Sequence, residues 1–242
     1  MKKVTTFVSI ITLTLLFNGC NIPQEGFINS TPEVYSFVET PKYYSKRVSY
    51  PMKRFKFETQ VLSSEDDAKE NSEGRVNIKS STLEMTQDGE ESQQIIGIRF
   101  ANVKIPRKAN IIKAYIKFTA KARSTDVADL IIQTENSTNP KKFKEEYFNI
   151  TDRRLSRKSI NWNPALWDFK GESKENETTN DLSELVQDIV NKRGWKSGNA
   201  IVFIITGEGN KVASSFDADK NSAPKLYIEY EAPAKKKIIL NN

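Results

Sequence analysis

The sequence predicts an all-β protein, an antiparallel jelly-roll-like β-sandwich with one short α-helix. Three observations predict it. From Lys53 onward hydrophobicity repeats every second residue, as it does on a strand with one wet face. About ten such runs follow one another, separated by Gly, Asn, Asp and Pro. A single stretch, near residue 185, repeats at helical spacing instead.

In the first run Phe55, Phe57, Thr59 and Val61 alternate with Lys56, Glu58 and Gln60. Comparable runs are expected at 75–79, 82–86, 95–100, 111–119, 127–133, 159–162, 200–206, 211–216 and 225–230. Within 111–119, Ile112, Ala114, Ile116 and Phe118 are expected to face the core while Lys113 and Lys117 face water. The run 200–206 is apolar on both faces, which predicts a central strand.

The helix is marked at its start by Asp181 and Glu184 in a capping-box spacing, and along its length by Leu182, Leu185, Val186, Ile189 and Val190. Gly194 is expected at a left-handed C-cap, and the helix over an open end of the sandwich. Residues 134–158 and 168–180 are polar and read as surface loops. GEGN at 207–210 lacks the Lys-Ser/Thr of a phosphate loop and reads as a hairpin turn.

The N-terminus carries a different signal. Lys2 and Lys3 precede an apolar run to Phe17 that is too short to span a membrane, then Asn18 and Gly19. The run LLFNGC at 15–20 resembles the lipobox of bacterial lipoproteins, with Phe17 and Asn18 as departures, and implies lipidation of Cys20. Cys20 is the sole cysteine, so no internal disulfide is possible. The expected division is a signal peptide at 1–19, a lipidated Cys and extended Pro-rich tether at 20–52, the sandwich at 53–232 and a basic tail at 233–242. Tyr35, Phe37, Tyr43, Tyr44 and Tyr50 imply that part of the tether packs on the domain. The expected location is the bacterial cell envelope, at the outer membrane or cell surface, with the lipid as the membrane contact.

Charge and residue content exclude several functions. The formal charge is +6, and it falls to +4 once Lys2 and Lys3 are removed; with both signs intermixed, this is not a nucleic-acid footprint. Histidine is absent, which removes Ser-His-Asp, Cys-His and HExxH chemistry. A polysaccharide hydrolase or lyase built on carboxylates stays open as a third reading.

Two groups of residues are candidates for binding. Glu65, Asp66, Asp67 and Glu70 form the densest acidic cluster, with Asp217 and Asp219 as a second; either could offer oxygen ligands to Ca2+, or be an exposed turn. Trp162 and Trp167, in SINWNPALW, could stack on sugar rings or anchor the core, whereas Trp195, between helix and central strand, reads as a structural plug.

The ordered set DDAKE (66–70), SSTLEM (80–85), IIGIRFANVKIPRKANIIKAYIKFTA (95–120), the tryptophan segment 159–167, DLSELVQDIVNKRGWKSGNAIVFIITG (181–207) and APKLYIEY (223–230) resembles the disaggregatase-related, DNRLRE-type domains grouped with carbohydrate-binding modules. The resemblance implies a jelly-roll-like domain, found mostly as an accessory domain of exported proteins, some of which bind or act beside polysaccharide, and for which catalysis is not the usual role. Arg99 and Glu84 keep its pattern. Lys121, Ala122, Asn210 and Lys211 depart from it, which weakens any cation site. The expectation is therefore a lipid-anchored binding module for polysaccharide or envelope glycan, using Trp162, Trp167 and Arg99. The alternative is a structural or adhesive surface lipoprotein that binds an envelope protein.

Overall fold

The computed structural model describes residues 51–87 and 93–234, all of them within one unit spanning 47–242. The expected signal peptide, Cys20, nearly all of the tether and the tail from 235 lie outside the described residues.

The protein is an all-β antiparallel sandwich with one short helix. Its strands are β1 (Met52–Gln60), β2 (Asp67–Asn71), β3 (Val76–Asn77), β4 (Thr82–Thr86), β5 (Gln94–Phe100), β6 (Asn110–Lys117), β7 (Asp129–Thr134), β8 (Ile160–Trp162), β9 (Ile201–Glu208), β10 (Asn210–Ser214) and β11 (Lys225–Pro233). Helix α1 (Ser183–Asn191) lies between β8 and β9. One layer has the order β3-β2-β5-β9-β7-β8. The facing layer consists of β1-β11-β6 and the pair β10-β4, joined where residues 119–121 beyond β6 bond to β10.

Alternation produces the core directly. Ile96, Ile98, Phe100, Leu130, Ile132, Phe203 and Ile205 of the six-stranded layer meet Leu83, Met85, Ala114, Ile116, Phe118, Leu226 and Ile228 of the other. Strand β9 is central and buried on both faces, as its unbroken apolar run predicts. In β6 one assignment changes. A register shift at Glu229/Tyr230 puts Ile111, not Ile112, against the core, because a bulge inserts one residue and flips the parity beyond it.

Three local expectations are also corrected. Strand β9 pairs with β5 and β7 while β10 pairs with β4, so GEGN turns a corner between the layers and closes no hairpin. Gly207 is required there: its φ is +123°, and a Cβ would lie 2.2 Å from the Asp129 carbonyl oxygen. Helix α1 ends at an extended Lys192, and Gly194 has no left-handed backbone. Its start does use Asp181, whose Oδ1 accepts from the Ser183 N–H at 2.9 Å. The buried stripe Leu185, Val186, Ile189 and Val190 packs beside β6, where Gln187 bonds the Ile111 N–H and the Ala109 carbonyl.

The segment 134–158 is more than a surface loop. It folds Phe143 and Ile150 onto the outer face of the six-stranded layer, forming a second small core with Ala68, Val202 and Ile204. Gly97 makes room, since a Cβ there would meet the Phe143 ring at 2.5 Å.

Candidate functional site

The tryptophans lie in the core. Trp162 is 1 % exposed and Trp167 0 %, so neither indole can stack on a sugar, and the expected stacking role is corrected. Trp162 stacks on Phe118 with centroids 5.5 Å apart. The Trp167 Nε1–H donates to the Asn176 carbonyl at 2.9 Å. Trp195 is buried as expected, its Nε1–H on the Ile105 carbonyl.

Arg99 is not a surface ligand group either. Its Nη1 donates to Asp66 Oδ1 at 2.5 Å and its Nε to the Pro140 carbonyl, while Glu84 pairs with Lys69 at 2.7 Å. The pattern positions Arg99 and Glu84 are thus in two separate ion pairs, not one.

The acidic cluster is divided among separate partners. Glu65 meets Lys142 Nζ at the surface, and Asp66 accepts from Ser63 Oγ as well as from Arg99. Asp67 accepts from the Phe216 N–H, and Glu70 takes the Ile150 and Thr151 N–H groups and the Thr151 hydroxyl. Asp217 accepts from Ser64 Oγ, and Asp219 caps the short turn Lys220–Ser222. Among the described residues no three such groups converge to hold a metal. Residues 67–71 are also not an exposed turn but β2, with Asp67 and Glu70 buried. Lys211, one of the departures noted above, is buried with its ammonium on the Ser124 and Asp126 carbonyls; burial lowers its pKa.

Asp67 has a consequence for pH. Burial, then the neighbouring Asp217 and Asp66 charges, push its carboxyl up to about 7, against the opposing Phe216 N–H bond. The folded state therefore holds this proton more tightly than the unfolded chain between about pH 4 and pH 7. The stability it gives is complete below about pH 4 and is lost as pH rises through 7. Asp67→Asn keeps an acceptor without the charge. Urea titrations at several pH values are expected to show the variant more stable than wild type above pH 7, by up to about 4 kcal/mol, with no advantage below pH 4.

Among the described residues an open face lies elsewhere, on the outer side of β1-β11-β6. Tyr115 of β6 and Tyr227 of β11 are direct cross-strand partners, and their rings stack with centroids 5.0 Å apart and planes 13° apart. Lys113 Nζ lies 5.4 Å from the Tyr115 ring and Lys117 Nζ 5.7 Å from the Tyr227 ring. Burial, then the Glu58 carboxylate, holds the Tyr227 phenol above its ordinary pKa. Two open concavities share Lys113 and Tyr115 in their linings, one of ≈ 720 Å³ between β6 and the segments 162–165 and 174–181, and one of ≈ 550 Å³ over β1, β11 and β6; together they are the groove of this face.

The far wall of this groove is built by the segment that follows the tryptophans. Residues 177–182 bond along the free edge of β6: the Thr179 N–H donates to the Ile116 carbonyl, the Leu182 N–H to the Ala114 carbonyl, and Thr179 Oγ1 accepts the Ile116 N–H. Asn163, Asn176 and Asn180 line it. Each donates its amide to a backbone carbonyl, of Ala128, Leu166 and Asn161 respectively, which leaves the amide oxygens as acceptors. Trp162 forms part of the lining at depth, and Trp167 holds Asn176 in place. The segment 159–167 is therefore at the groove, as support for it.

Sequence reading missed Tyr115 and Tyr227. The parity of Lys113, Tyr115 and Lys117 signals an outward tyrosine, but its partner depends on the register with β11.

No family model and no curated protein matches the chain. Among solved structures, that of Mud crab tombus-like virus, determined by cryo-EM, aligns over 92 % of this chain and 96 % of that one, with 10 % identity and a TM-score of 0.26.

Proposed function

We propose that the protein is an exported module that binds polysaccharide or cell-envelope glycan, without catalysis of its own, held at a membrane by a lipid on Cys20. The observation that carries the binding reading is the stacked Tyr115–Tyr227 pair in an open groove with amide side chains along one wall. Apolar ring surface beside fixed carbonyl acceptors matches a sugar, which offers C–H faces and hydroxyl donors together. A groove open along its length suits a polymer better than an enclosed pocket would. The resemblance to carbohydrate-binding modules points the same way. The anchoring half of the proposal rests on the basic, apolar and LLFNGC sequence at 1–20. Among the described residues no helix is long and apolar enough to cross a membrane.

The test is a glycan array and affinity electrophoresis with the chain from Cys20 onward. Tyr115→Ala and Tyr227→Ala are each expected to weaken binding about tenfold, roughly the 1.4 kcal/mol that loss of an aromatic contact removes. Undiminished binding by the double variant would reject the groove.

A further inference from the structure

We propose that the groove takes an acidic polysaccharide, one carrying carboxylates along its chain; this rests on the glycan reading and narrows it. The charges on the outer face are arranged in rows across the strands. Lys56, Glu229 and Lys113 are register partners in one row, Glu58, Tyr227 and Tyr115 in the next, and Gln60, Lys225 and Lys117 in the third. The tyrosine row is thus bracketed by two lysines on each side. Side chains two apart on a strand are about 6.6 Å apart, so the lysine rows stand roughly 13 Å from each other with the aromatic row between.

The two glutamates of these rows do not neutralise them. Glu229 lies beside Lys56 and Lys113 in register, yet its carboxylate pairs with Arg54 at 3.4 Å. Glu58 is the register partner of Tyr227, and its carboxylate acts on that phenol in the tyrosine row and not on the lysine rows to either side. Among the described residues Lys56, Lys113, Lys117 and Lys225 are in no ion pair. Lys113 and Lys117 rest over tyrosine rings, a weak contact compared with a carboxylate partner. A carboxylate on the ligand recruits these ammonium groups at little cost, and their departure uncovers ring surface for the sugar that bears it. One arrangement thus supplies charge pairing and stacking to the same polymer.

The experiment uses the chain from Cys20 onward with polygalacturonate, alginate and hyaluronate, each beside its carboxyl-reduced, neutral counterpart. At least one acidic polymer is expected to bind, with affinity falling steeply as salt rises, and its reduced counterpart to bind at least tenfold more weakly. Lys113→Gln/Lys117→Gln is expected to lose about tenfold on the acidic polymer and to flatten the salt dependence. Tyr115→Ala/Tyr227→Ala keeps all the lysines; its loss of binding separates this groove from general charge attraction, and its full retention would overturn the proposal. Equal binding of acidic and reduced polymers would overturn the charge proposal while leaving the glycan reading intact. Binding to none of the six, nor to any neutral glycan of the array, would overturn both.

Discussion

Trp167→Ala is expected to lose roughly 3–5 kcal/mol of stability, a large share of the 5–15 kcal/mol that holds a typical domain together. The indole is fully buried, and its Nε1–H satisfies the Asn176 carbonyl. Its backbone also pairs with Ser124 in both directions, at 2.9 and 3.1 Å. Truncation leaves a cavity and an unpaired carbonyl, and loosens the loop that carries Asn176. Trp162→Ala should cost a similar amount, because the ring fills space between the layers and stacks on Phe118. Replacement by Phe keeps most of the volume, so Trp167→Phe should fold and lose about 1–2 kcal/mol for the missing donor. Urea unfolding followed by circular dichroism checks this. Near-wild-type midpoints for both alanine variants would mean that the indoles are not core residues.

Arg99→Met is the second large effect, again about 3–5 kcal/mol. Asp66 is 2 % exposed, and the guanidinium is its only charged partner among the described residues. Without it the carboxylate stays buried with the Ser63 hydroxyl alone, and the Pro140 carbonyl loses its donor. Removing both charges together should recover much of the loss, since a buried ion pair and a well-packed apolar pair are often close in energy. Arg99→Met/Asp66→Leu is therefore expected to be more stable than Arg99→Met alone. The same ordering in urea midpoints supports the assignment, and a double variant as weak as the sum of its parts would refute it.

The sequence carried most of the strand pattern because most strands bury one face. Residues 82–86 are a strand end to end, and the unbroken apolar run at 200–206 is the centre of its sheet. Strand β2 was illegible for a physical reason. DAKEN buries Asp67 and Glu70, and what stabilises them is backbone N–H groups from Phe216, Ile150 and Thr151, more than 75 residues away along the chain. Hydropathy cannot show such a match. The binding candidates followed the same logic. Tryptophan is the aromatic most noticed for sugar stacking, but burial decides its use, and burial is set by the opposite layer. Tyr115 and Tyr227 become a pair only through the register of β6 with β11, which the bulge at Glu229/Tyr230 adjusts.

The central claim is that ligand meets the outer face of β1-β11-β6, with the tryptophans beneath it as support. Its most direct measurement is the affinity of four proteins for one bound glycan: wild type, Tyr115→Ala/Tyr227→Ala, Trp162→Phe and Trp167→Phe, each first shown to be folded. The expected result is loss of binding in the tyrosine variant and near-wild-type affinity in both phenylalanine variants. Full binding by the tyrosine variant, with loss in the folded tryptophan variants, would contradict it.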